Sequence, residues 1–224
     1  MKLLLLKWKG LEGWGLPGGY IKREEPLSEA VNRILQERTG LTQIYLQQFY
    51  TFGDSPYRAK TPNVTSQAKG KHAVPNENSW LFQRTLSISY FSLVDYSKVK
   101  VTTDFFTNAY QWVNINEVPK LLFGHNEVVE KALDTLRLQL YHQPIGYNLL
   151  PKKFTLPEIH SLYETLLGKK LDQRNFLRKM MSLGLVKRLD EQRSIGAHRS
   201  PFLYQFEMKA YREALKQGIV HTYQ

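Results

Sequence analysis

The 224-residue chain contains no cysteine, which excludes disulfides and thiolate metal sites. That absence is compatible with a reducing compartment. Long apolar runs are also missing. The opening MKLLLLKW is far shorter than the ~20 apolar residues of a membrane-spanning helix. It leads straight into polar sequence and is too short for a signal peptide. The chain is therefore read as cytoplasmic. Negative charge is scarce too: 20 Asp+Glu stand against 31 Lys+Arg, a net charge of +11. The deficit is uneven, because residues 145–224 hold 14 basic against 7 acidic side chains, while residues 1–144 hold 17 against 13. A basic C-terminal third points to a polyanionic partner, most simply nucleic acid, with plain solubility as the alternative. What is present in ordinary amount is apolar mass, 42% of residues, enough for one large or two modest packed domains.

The most organised stretch is GWGLPGGYIKREEPLSEAVNRILQERTGL, residues 13–41. It predicts a loop followed by a helix. Gly18 and Gly19 offer a backbone path closed to residues with a Cβ. Pro26 suits the first helical turn, and Glu24, Glu25 and Glu29 lie near the positive end of the helix dipole. Leu27, Ala30, Val31, Ile34 and Leu35 recur at helical spacing, and Gly40 ends the helix.

Around this stretch the pattern predicts strands at 2–8, 43–51, 84–94 and 110–115, with Trp112 in the core. Asn126 is positioned to cap a helix running to Tyr141, with Val129, Leu133, Leu136 and Leu140 on one stripe. Residues 55–79 are polar and aperiodic and predict a long loop, in which Arg58, Lys60, Lys69 and Lys71 are basic. Two prolines and a glycine in 142–153 place a domain boundary there, giving domains 1–141 and 142–224. The second domain opens with a capping box, Thr155 and Glu158, and a staple of Phe154 on Ile159. Its first helix buries Leu162, Tyr163 and Leu166 and stops at Gly168. Asp172 caps a second helix, residues 173–182, with Phe176, Leu177, Met180 and Met181 on its apolar side. Strands at 185–189 and 202–206 follow, with Phe202, Tyr204 and Phe206 directed to the core. Helix, turn, helix, hairpin is the order of a winged helix-turn-helix. Its second helix carries Arg174, Asn175, Arg178 and Lys179 near its N-terminal, non-core side, where a recognition helix meets the major groove. Arg suits guanine and Asn suits adenine. The hairpin tip adds Arg193, His198 and Arg199, suited to phosphates or the minor groove. No partner is spaced to make His198 a metal ligand. A solvated helix face and a basic turn would look the same.

The stretch around Gly19 also resembles the Nudix box. Gly19, Glu25, Arg33, Leu35, Glu37 and the closing Gly40-Leu41 sit at the box's spacing. NLLPKKFTLPEIHSLYETLLGKKLDQRNFLRKMMSLGLV and the later LYQF resemble the C-terminal domain of the Nudix-related transcription regulators. The likeness spans most of the chain, except residues 55–79 and an expected first strand. The fold implied is α+β: a Nudix-type mixed sheet between helices, followed by a winged helix. In Nudix hydrolases the helix glutamates hold divalent metals. Here Ile34 and Arg38 stand at two of those three positions, on one face with Glu37. Hard cations want oxygen ligands, so no metal and no cofactor is expected. Glu25 and Arg33, which brace loop against helix in the family, are kept. A second departure is Phe123-Gly124-His125, where relatives usually carry an acidic residue between the aromatic and the histidine.

The resemblance implies a homodimeric, DNA-binding transcriptional regulator, not an enzyme, whose Nudix domain senses a small molecule, a sugar or an ADP-ribose-like compound. Ligand control then requires unequal affinity for two arrangements of the protein. The lost carboxylates tilt the expectation toward a sugar. Two other readings stand beside it. One is a Nudix hydrolase of nucleoside diphosphate derivatives, with Glu24, Glu25 or Glu29 replacing the lost ligands beside Glu37. The other is a structural or RNA-binding module, disfavoured by the lack of a paired-aromatic RNA motif.

Overall fold

The structure, a computed structural model, describes residues 1–42, 44–53, 85–103, 106–142, 149–193 and 200–217. The loop expected at 55–79, with its four basic residues, lies outside the described residues, as do His198 and Arg199. The chain divides into two compact units, Met1–Ser92 with Tyr96–Ala132, and Leu93–Asp95 with Leu133–Gln224.

In the first unit, β1 (Lys2–Trp8) lies between β2 (Trp14–Gly15) and β5 (Thr107–Asn114), antiparallel to both. The apolar run predicts a buried strand, and Leu4, Leu5 and Leu6 are indeed buried. A continuous run is what a strand covered on both faces requires. A parallel bridge joins Trp14 to Leu121, so the sheet is mixed at this edge. A separate antiparallel pair is formed by β3 (Gln47–Phe52) and β4 (Ser87–Phe91). Both are shorter than the stretches expected to be strands. Ile115 belongs to a 3₁₀ turn after β5. Trp112 is only half-buried, its ring 5.8 Å from that of Tyr96.

Helix α1 (Leu27–Thr39) ends at Gly40, whose φ of 67° is the left-handed cap that glycine favours. Its apolar stripe is half-buried, and only Ala30 and Thr39 are fully buried. Helix α2 (His125–His142) begins one residue before the expected cap. Asn126 is inside it, where its Oδ1 accepts from the Leu121 N–H at 2.7 Å and its amide donates to the Pro119 carbonyl. It fastens the preceding turn rather than capping the helix.

The second unit contains the expected winged helix. Its elements are β6 (Phe154–Thr155), α3 (Leu156–Leu167), α4 (Gln173–Ser182), β7 (Val186–Gln192), β8 (Phe202–Phe206) and α5 (Met208–Gln217). The strand order is β6-β8-β7, all antiparallel. The short β6 was hidden in sequence by the capping signal beside it, and no stop signal announced α5. Phe154, Ile159, Tyr163, Leu166, Phe176, Met180, Leu185 and Phe206 are buried. Phe202 and Tyr204 are half-buried while Leu203 and Phe206 are buried, so β8 buries side chains on both of its faces. Leu162 and Leu177 are half-buried, and Met181 is 43% exposed.

Candidate functional site

Two groups of residues carry the chemistry expected from the sequence, one in each unit. In the first, the loop before α1 is held by side chains. Arg33 grips Glu25 with both ends of its fork, Nε to Oε1 at 2.6 Å and Nη2 to Oε2 at 2.7 Å. Nη2 also donates to the Tyr20 carbonyl at 2.9 Å, and the Lys22 N–H donates to Glu25 Oε2 at 3.1 Å. The Arg33 hydrogen bonds are the main cause that lowers the Glu25 carboxyl from its ordinary 4.5 to about 2. The same pairing raises Arg33. Glu25 and Arg33 thus brace the loop. Glu37, the retained helix carboxylate, accepts from Arg33 Nη1 at 3.1 Å. Arg38 donates from Nε to the Gly18 carbonyl at 3.0 Å.

The glycines act differently from expectation. Neither Gly18 nor Gly19 adopts a left-handed φ. Gly18 has open space where a Cβ would be. Gly19 is needed for closeness: a Cβ there would lie 2.8 Å from Ile34 Cγ1. The loop presses directly on the helix at the position where the box has a glutamate.

A further member is His125, which sequence reasoning did not place. Its Nδ1 accepts from the Leu16 N–H at 2.9 Å, which fixes the other ring nitrogen as the protonated one whenever the ring is neutral. It follows Phe123, the non-glycine residue with left-handed φ (59°) among the described residues, whose ring packs 5.1 Å from Trp8. The departure at Phe123-Gly124-His125 therefore forms a strained corner that aims an imidazole at the loop. Only its placement after a glycine hinted at this in sequence.

In the winged helix, the Thr155 N–H donates to Glu158 Oε2 at 2.6 Å, as a capping box requires. Asp172 Oδ1 accepts from the Asn175 N–H at 2.8 Å at the start of α4. The structure brings Arg174, Asn175, Arg178 and Lys179 together on this helix. Arg174, Asn175 and Arg178 are exposed, and Arg178 donates to Asn175 Oδ1 at 2.6 Å. Lys179 is half-buried, and burial lowers its ammonium. Arg193 stands apart from them. It pairs with Glu158 (Nη1 to Oε1, 2.6 Å) and donates to the Lys153 carbonyl at 3.1 Å. Lys153 in turn bonds Glu191 at 2.6 Å. These contacts tie the base of the wing to the start of α3. Lys187 and Arg188 on β7 are exposed and were not singled out in sequence. Arg188 lies over the Phe202 ring at 4.2 Å.

A box-type loop and helix in a unit that also holds strands β1 to β5, followed by a winged helix, define a two-domain architecture. Residues 146–206 match the family described as the NrtR DNA-binding winged helix domain. The chain is 26% identical over 202 residues to the ADPR responsive transcriptional repressor NtrR of Acinetobacter baylyi, covering 88% of this chain and 71% of that protein. In fold it is similar to Shewanella oneidensis NrtR crystallised with a 27mer DNA, with a TM-score of 0.70, 22% identity, and coverage of 100% of this chain and 92% of that one. It is also similar to a MutT/nudix family protein from Enterococcus faecalis, with a TM-score of 0.62, 19% identity, and coverage of 92% and 79%. The chain is therefore similar to the NrtR regulators: residues 146–206 match their winged-helix domain, and the fold is shared with NrtR and with a MutT/nudix family protein.

Proposed function

We propose that this chain is a DNA-binding transcriptional regulator whose Nudix domain senses an ADP-ribose-like ligand without hydrolysing it. The observation that carries the reading is the exposed trio Arg174, Asn175 and Arg178 at the start of a capped α4, within the stretch matching a DNA-binding winged helix. ADP-ribose is preferred to a sugar because the Acinetobacter relative is described as ADPR responsive. We place the domain boundary after residue 141, supported by the proline-bearing stretch 142–153. The division into compact units falls earlier, between 132 and 133, within α2. Binding as a homodimer to a palindromic site, in the cytoplasm, completes the reading. Among the described residues no helix is long and apolar enough to cross a membrane.

The Nudix fold implies a divalent cation at the box, and the donor set does not fit one. Ile34 offers no oxygen, Glu37 is engaged by Arg33, and Arg38 brings a positive charge to the same face. Glu25, a candidate replacement ligand, is committed to Arg33 on both oxygens. No hydrolytic step is assigned.

The test is selection from a random duplex pool by the full chain, followed by titration of ADP-ribose and a pentose against the winning duplex. A palindromic winner, salt-sensitive binding and an ADP-ribose response support the reading, since displaced counterions make phosphate contacts salt-dependent. No enriched duplex, or turnover of ADP-ribose with magnesium, overturns it.

A further inference from the structure

We propose that the Arg38 guanidinium stands in for the cation of a Nudix site, so that a phosphate-bearing ligand is held beside the loop at Gly18 without any divalent metal. This rests on the ligand-sensing reading above and names the residue and charge by which that site works.

The loop ahead of α1 is fixed at four backbone points by side chains. The Leu16 N–H meets His125, the Gly18 carbonyl meets Arg38, the Tyr20 carbonyl meets Arg33, and the Lys22 N–H meets Glu25. Of these four, only the two carbonyls could ligate a cation, and both already accept from arginines, Gly18 from Arg38 and Tyr20 from Arg33. The helix face turned to the loop presents three things in sequence: Ile34 packed where a Cβ on Gly19 would collide, Glu37 drawn to Arg33, and Arg38 on Gly18. Magnesium requires near-octahedral oxygen ligation, and this face supplies one engaged carboxylate and one repelling charge. A planar guanidinium instead matches phosphate oxygens with directed donors, permanently charged across the physiological range. The carbonyl bond orients the Arg38 side chain across the junction between helix and loop. A diphosphate is the ligand chemistry that such a placed cation favours over a neutral sugar.

The test uses the full chain and two readouts. Manganese alone is titrated by electron paramagnetic resonance against the natural protein and against I34E/R38E, which restores both carboxylates. The natural protein is expected to show no saturable binding, and the double variant to gain it. ADP-ribose binding is then measured by calorimetry in EDTA and in magnesium, for the natural protein and for R38A and R38K, with thermal melts confirming that each variant is folded. Binding is expected to be equal in the two buffers. R38A is expected to weaken it by roughly tenfold or more, the size of a hydrogen bond to a charged group, with R38K recovering part. Saturable manganese binding by the natural protein, magnesium-dependent ADP-ribose binding, or undiminished binding by folded R38A overturns the proposal. Failure of the full chain to bind any duplex would instead sink the regulator reading, and leave these two measurements to judge Arg38 alone.

Discussion

The loop–helix junction of the first unit and the winged helix of the second are held together by different means. α1 buries only Ala30 and Thr39 completely, and its junction with the loop is fastened by Glu25, Arg33, Arg38 and His125. The winged helix closes over aromatic and aliphatic side chains, with Phe154 fully buried and its ring 4.9 Å from Phe206. A polar, partly exposed junction is set by charge and geometry and tolerates rearrangement around a ligand. An apolar core sets a rigid platform for a groove-reading helix. The contrast is what the proposed function requires of a sensing junction and of a recognition platform.

The largest expected effect is on the platform. Phe154→Ala should cost about 3–5 kcal/mol, the usual range for emptying a buried aromatic site, and urea unfolding of the winged-helix transition measures it. A loss no larger than that of Arg33→Ala in the junction would remove the contrast. Next comes Arg174→Ala, which should weaken binding to the selected duplex by about 1–3 kcal/mol if it reads a base. Anisotropy on a scrambled duplex sharpens this, because an equal loss there would make Arg174 a phosphate contact only.

Acid acts on the junction with a definite sign. Glu25 is lowered in the folded protein from 4.5 to about 2. Its contribution is therefore fully present above the higher value and fades as pH falls toward the lower one. Glu158 and Glu164 are lowered as well, so the winged helix shares the direction. Comparing E25Q with the natural protein in urea across this interval isolates the junction: the variant should lose less on acidification, and an identical slope would contradict the bracing role.

Arg193→Ala is a smaller change. The Arg193–Glu158 pair is about one-third exposed on each side, so screening holds its worth to about 1 kcal/mol or less. Loosened at its base, the wing should lower affinity evenly across sequences, unlike Arg174→Ala. The smallest effect is at Gly18, where an alanine meets nothing within 4 Å, whereas Gly19→Ala collides with Ile34. Thermal melts should leave G18A near the natural protein and lower G19A, with I34A relieving it.

Legibility in the sequence followed the same division. Apolar spacing exposed the box helix, and the resemblance to the Nudix box implied the Glu25–Arg33 brace that the structure contains. Capping chemistry marked α3 and α4, since Thr155, Glu158 and Asp172 act within a turn of their own positions. What stayed hidden depended on distant partners. His125 reaches Leu16 across 109 residues, and Arg193 reaches Glu158 across 35. Arg193 was expected at the DNA on charge alone, and its fold neighbour Glu158 was already assigned to a cap. The two-sided burial of β8 likewise depends on what packs over each face, which alternation within one strand does not record.

The central claim is that a nonhydrolytic Nudix domain governs a DNA-reading partner. Fluorescence anisotropy of the full chain on its selected duplex, with ADP-ribose titrated in EDTA, tests it most directly. The account predicts a saturable, reversible change in duplex affinity as ADP-ribose rises; an affinity that stays constant throughout the titration would contradict it.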